Sequence, residues 1–177
     1  MSDYPFRSSS FDDFKYFAVT GHRPDKLGGY GDAAQRFLKE FAKDRLPGIV
    51  KGARVITGMA LGWDTAVALA CVELHIPFIA AVPCENQDQY WHWSDKITYN
   101  WLLGKASGFS LVNREYTSTC MQERNQWMVD RCDGVIALWD GSTGGTKNCI
   151  DYAKRVDKPI TNLYNIWKSY QISDLYE

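Results

Sequence analysis

The chain has 177 residues, 45% of them hydrophobic and 23% charged, with a formal net charge of −1. Those values describe one globular domain able to bury a substantial core. The near-zero charge supplies no overall positive field, so nucleic acid is not expected as a partner. No stretch approaches the roughly 18 apolar residues that span a bilayer, and residues 1–14 carry no apolar leader, so the chain is expected to be cytoplasmic and free of membrane. The cysteines Cys71, Cys84, Cys120, Cys132 and Cys149 are odd in number and form no CxxC pair, which reads as reduced thiols and not as a disulfide framework.

Residues 1–14 are polar with scattered aromatics and are expected to form an arm, with a single domain over 15–177. "KYFAVT" (15–20) is a strand candidate stopped by Gly21. "DAAQRFLKEFAKDRL" (32–46) has Ala34, Phe37, Leu38, Phe41 and Ala42 at helical spacing, with Pro47–Gly48 as the stop. "ARVIT" (53–57) predicts a strand, "WDTAVALACVEL" (63–74) a helix and "PFIAAV" (77–82) a strand. The run 89–106 predicts a helix and "GFSLVN" (108–113) a strand. Thr119 with Gln122 forms a capping-box pattern before the helix at 120–132. "GVIALWD" (134–140), "GTKNCIDYAKRV" (145–156) and "PITNLY" (159–164) complete the alternation as strand, helix and strand. Six strands separated by five helices predict a Rossmann-like, doubly wound α/β fold with a mainly parallel sheet and helices on both faces. Ligands in such sheets bind beyond the carboxyl ends of the strands.

Four strand ends carry distinctive residues. After the first strand, Gly21 allows a sharp exit, Arg23 offers a fork suited to phosphate or carboxylate, and His22 reads as a hydrogen-bonding wall residue. After the second, Gly58 and Gly62 bracket Met59, Ala60 and Leu61, and Asp64 follows at the helix start. Backbone N–H groups there could meet an anion, while Asp64 serves either as a helix cap or as an acceptor for a sugar hydroxyl. The third strand end leads into an aromatic-rich segment with Trp91, Trp93, Tyr99 and Trp101, read chiefly as packing residues. The fourth, from Asp140 through Gly144, Gly145 and Thr146, is a glycine-rich helix start suited to phosphate but without P-loop or GxGxxG spacing. Arg124 and Asn125, in the second turn of the helix opened by Thr119, can reach the same sheet edge because helical side chains lean towards the N-terminus. His22, His75 and His92 lack metal-ligand spacing, so no metal is expected.

The blocks "VTGHRPDKLGG", "VITGMALGWDTAVA", "RNQWMVDRCDGVIALWDG" and "GGTKNCIDYA" resemble, in order and spacing, the SLOG superfamily and its YpsA-like branch. That group includes DNA-processing protein A and the LOG-type phosphoribohydrolases. The resemblance spans about residues 16–165 and implies a Rossmann-like fold, a pocket for a nucleotide or nucleotide derivative, and a bacterial or phage source. Two departures are informative. Cys149, with Asn148 beside it, stands where LOG-type enzymes carry a catalytic glutamate, and Leu61 stands where DNA-processing proteins carry an arginine.

Three function classes follow. The first is binding or sensing of a nucleotide-like small molecule through the strand-end residues. The second is N-glycosidic cleavage, with Asp64, Glu85 or Glu123 as the substitute carboxylate. The third is a partner-binding protein with a vestigial pocket; a homo-oligomer is compatible with each.

Overall fold

The computed structural model describes residues 15–174; the arm expected over 1–14 lies outside them. Six strands, β1 (Tyr16–Gly21), β2 (Arg54–Thr57), β3 (Phe78–Val82), β4 (Gly108–Leu111), β5 (Gly134–Leu138) and β6 (Ile160–Asn162), form one sheet in the order β4-β3-β2-β1-β5-β6. Every neighbouring pair is parallel. β3 and β5 are buried along their whole length, as strands covered on both faces must be.

Side-chain alternation divides the core in two. Phe17 and Val19 of β1, Val55 of β2, and Phe78, Ala80 and Val82 of β3 face one layer. That layer is covered by α1 (Asp32–Val50), α2 (Trp63–Glu73), α3 (Trp93–Lys105) and α6 (Tyr164–Asp174). Tyr16, Ala18, Ile56, Ile79 and Ala81 face the other, covered by α4 (Cys120–Asp130) and α5 (Gly145–Arg155). The first layer is anchored by Phe41, Trp63 and Trp167, all fully buried, and each such burial contributes about 2–3 kcal/mol. The chain winds outward from β1 to β4, then crosses back through α4 to place β5 on the free side of β1. The crevice between the carboxyl ends of β1 and β5 is therefore the switch point where ligands bind in such sheets.

Local expectations fail where packing overrides them. α1 continues through Pro47 and Gly48 to Val50, because Leu46 and Val50, four residues apart, are both buried against the sheet. It ends instead at Lys51, in the left-handed region at φ 46°, followed by Gly52. The third helix starts at Trp93 and not at 89, capped by the His92 ring, which accepts from the Ser94 N–H. The last strand is only three residues long, and Tyr164, placed in it from sequence, opens α6, which local patterning does not announce. The Thr119–Gln122 capping box does not form; the Thr119 hydroxyl bonds Glu123 Oε1 at 2.7 Å. All five cysteines are buried and unpaired. Among the described residues no helix is long and apolar enough to cross a membrane.

Candidate ligand-binding site

The register Thr20↔Ala137 and Gly21↔Leu138 brings the residues following β1 and β5 side by side, and the His22 N–H extends the ladder to Leu138 O at 3.1 Å. Gly21 is needed there: a Cβ would lie 2.6 Å from the buried Trp63 side chain. No carboxylate near His22 in the sequence offers itself as a partner, yet Asp140, 118 positions away, places Oδ1 2.7 Å from His22 Nε2. The Asp140 backbone nitrogen lies 3.0 Å from the same ring nitrogen. The Ser142 hydroxyl and N–H, aided by the His22 ring, hold the Asp140 carboxyl well below the usual aspartate range. Lys26, in the short 3₁₀ turn Pro24–Lys26, donates to the Ser142 hydroxyl and lies 3.6 Å from Asp140 Oδ2.

The turn after β2 is occupied mostly with itself. The Met59 N–H donates to Thr57 Oγ1 at 3.3 Å, the Ala60 N–H to Asp64 Oδ2 at 3.4 Å, and the Trp63 N–H to the His22 carbonyl at 3.2 Å. Met59 is fully buried at φ 58°, and Gly62, at φ 91°, packs so closely that a Cβ would sit 3.0 Å from Arg23 Cα. These three N–H groups thus already have acceptors within the chain. The function of the turn in the site is to hold side chains. The Gly58 carbonyl accepts from Arg124 Nη1 and, at 3.2 Å, from Gln87 Nε2, while Gln87 Oε1 accepts from the Tyr99 hydroxyl at 3.3 Å. Arg124 Nε donates to Asn125 Oδ1 at 2.9 Å.

Arg124 and Asp64 are buried at 5% and 6% exposure. Burial lowers the guanidinium's pKa and raises that of the Asp64 carboxyl, and each group partly offsets the other's shift. Among the described residues, however, no carboxylate closes an ion pair with Arg124. A guanidinium stays charged at any physiological pH, and a buried charge without a direct counter-ion is costly.

On the far side α5 opens at Gly144, φ 136°, with no side chain capping its first turn. Between these walls lies a cavity of about 320 Å³. Of the residues singled out from sequence, it is lined by Gly21, His22, Arg23, Ala60, Asp64, Arg124, Asn125, Gly144, Gly145 and Thr146. Gly58, Met59, Gly62 and Asp140 do not line it; Gly58 accepts from Arg124, Gly62 packs on Arg23, and Asp140 contacts His22. Leu61 faces away, into a separate cleft of about 80 Å³ beside Pro24 and Tyr30. Glu85 and Glu123 are exposed and outside the cavity; Glu123 is bonded to Thr119 and Asn113. Cys149 is fully buried against the sheet, its thiol pushed up to about 11 by burial. Thr20, Asp25, Lys26, Met121 and Thr143 also line the cavity. Lys26, three residues beyond Arg23, was the one with a readable signal, a second cation on the same strand exit. Among the described residues no three His, Cys, Asp or Glu side chains gather to hold a metal ion.

Comparison with known proteins agrees with this architecture. The chain is 36% identical over 120 residues to the SPbeta prophage-derived protein YoqJ of Bacillus subtilis (strain 168), covering 58% of this chain and 70% of that protein. DNA processing protein A of Streptococcus pneumoniae shares the fold with a TM-score of 0.59 at 16% identity, covering 83% of this chain and 49% of that one. This chain therefore spans about half the length of that protein. DNA processing protein A of Helicobacter pylori matches with a TM-score of 0.58 at 19% identity, over 85% of this chain and 65% of that one. The latter structure describes a single-stranded DNA binding mode, so the expectation that nucleic acid is an unlikely partner does not stand. Net charge sums over the whole surface, whereas a strand is met by a local one. The YpsA family model, described as the YspA SLOG family, matches residues 17–169, and the chain belongs to that family.

Proposed function

We propose that the cavity binds a phosphorylated nucleotide or nucleotide derivative. The anion would lie against Arg124, Arg23 and the opening turn of α5, with Lys26 at the rim, and a sugar hydroxyl would bond Asp64. The observation that supports this most is Arg124, a buried cation lining a solvent-open cavity with no ion-pair partner in direct contact among the described residues. An anionic ligand supplies a counter-charge in direct contact, beyond the more distant Asp64, and charge-assisted hydrogen bonds of this kind contribute about 1.5–3 kcal/mol each. The α5 start adds about 0.3–1 kcal/mol. A volume of about 320 Å³ stands at the lower end of the roughly 300–1,000 Å³ typical of small-molecule sites, which suits one nucleotide unit better than a dinucleotide.

Titration calorimetry against AMP, cyclic nucleotides, NAD, ADP-ribose and a short oligothymidylate tests the reading. Saturable binding of a mononucleotide is expected, with no binding of the matching nucleoside. Arg23→Ala should weaken it about ten-fold or more, the loss of one charge-assisted bond. Folded protein that takes up none of the nucleotides refutes the proposal, and binding of the oligonucleotide alone replaces it with a strand-binding function.

A second reading, N-glycosidic cleavage, draws on one observation: Asp64 is the one of the three substitute carboxylates that lines the cavity, and burial raises its pKa, as suits a general acid. Incubation with nucleoside monophosphates should then release free base, and Asp64→Asn should abolish the release. Absence of base at high protein concentration removes this reading.

A further inference from the structure

Two buried ionisable groups share one cavity, and an anionic occupant cannot leave both unchanged. Asp64, in the first turn of α2, and Arg124, on α4, are both buried and both line it. No direct ion pair joins them among the described residues, yet each acts on the other through its charge. Arg23 adds a second cation from the exit of β1. From the turn after β2, the Ala60 N–H donates to Asp64 Oδ2 at 3.4 Å, and the Gly58 N–H also bonds the carboxyl. Cys149 of α5 is near enough to be influenced, its thiol held neutral by burial. His22, Asp25 and Lys26 complete the charged and titratable lining. The two arginines and the two N–H groups favour the ionised carboxylate, whereas burial, the largest influence, favours the acid.

We propose that Asp64 takes up a proton when an anion enters the cavity, so that the occupant replaces the carboxylate as the counter-charge of Arg124. The inference rests on the anion-binding reading above and adds its dependence on pH. A phosphate against Arg124 and Arg23 neutralises the two cations that hold Asp64 ionised. It also brings a like charge and expels the water that screened both groups. Two backbone N–H groups then remain to oppose full burial. Charge counting points the same way: with Asp64 ionised, it and Arg124 balance, and the buried pair offers an anion no net charge. With Asp64 neutral, the charge of Arg124 is available in full. The acid form keeps a function in the site, because its O–H donates to a phosphate oxygen while its carbonyl oxygen still accepts from a sugar hydroxyl. The proton comes from solvent, and no bond in the ligand is made or broken.

Titration calorimetry with AMP from about pH 5.5 to about pH 8.5, repeated in buffers of different ionisation enthalpy, counts the protons taken up on binding. The native chain should take up as much as about one proton per AMP, and its affinity should fall as pH rises, by at most about ten-fold per pH unit. Asp64→Asn keeps the shape of the protonated acid and cannot ionise. It should bind AMP as tightly as the native chain at the acid end and more tightly at the alkaline end. Its remaining pH dependence should be that of the AMP phosphate, whose second ionisation lies near about 6. At about pH 7.5 that phosphate is already ionised, so the proton count on the native chain stands without the variant. A variant weaker than the native chain at every pH makes Asp64 a carboxylate acceptor and overturns the proposal. So does native binding with no proton uptake, which leaves the nucleotide reading intact. AMP bound by neither protein, both folded by circular dichroism, removes that reading and this inference together.

Discussion

An alanine methyl at Gly58 would sit 2.6 Å from Arg124 Cζ, inside the guanidinium that the Gly58 carbonyl holds. Gly58→Ala should therefore displace a buried cation and cost about 1–3 kcal/mol in urea denaturation, with loss of nucleotide binding. Asp140 gives a prediction in pH. Its folded pKa is depressed below the ordinary 3.8, so its contribution is full above that value and is lost as pH falls through the folded one. Asp140→Asn should lower stability at neutral pH, and the gap between variant and native protein should narrow on acidification below 3.8. Asp64 works in the opposite sense: its raised pKa makes ionisation a growing penalty as pH rises. The Gly58–Arg124 contact was invisible in the sequence because the two residues lie on different elements, and each was selected for a separate reason. That one is the support of the other is a tertiary fact.

At the scale of elements, α1 shows how packing outweighs a local stop signal. Pro47–Gly48 terminates a helix by propensity, yet the buried Leu46 and Val50 hold the last turn on the sheet. Gly48 has open space around it and is tolerated there, not required. Gly48→Ala should stabilise the chain by about 0.5–1 kcal/mol, raising Tm by roughly 1–4 °C in thermal denaturation. The strands were legible because burial on both faces leaves near-continuous apolar runs, as in "FIAAV" and "GVIAL". α6 was not, although Leu163, Trp167 and Tyr170 stand at helical spacing against the core, because the apolar run "PITNLY" leading into it reads as a strand.

At the scale of the whole molecule, the site follows from the crossing of the chain from β4 back to β5. That crossing alone makes neighbours of His22 and Asp140, and nothing local in either stretch specifies which parallel strand will lie beside which. Gly21–Arg23 and Gly144–Thr146 could be selected from sequence because each follows a strand; their convergence on one cavity needed the strand order. The turn at 58–62 illustrates the converse, a glycine-rich loop of ligand-binding appearance whose backbone groups are largely consumed in holding Asp64 and Arg124.

The uncapped start of α5 has one further consequence. The first amide hydrogens of that helix, at Gly145 and Thr146, have no acceptor from a capping side chain, so in the free protein they should exchange with solvent deuterium rapidly. An occupant whose oxygens accept from them should slow that exchange by the same factor by which it populates the site, while the buried amides of β5 should report only global opening. Deuterium uptake at these two positions would then read occupancy directly, without a label and without knowledge of which nucleotide is bound.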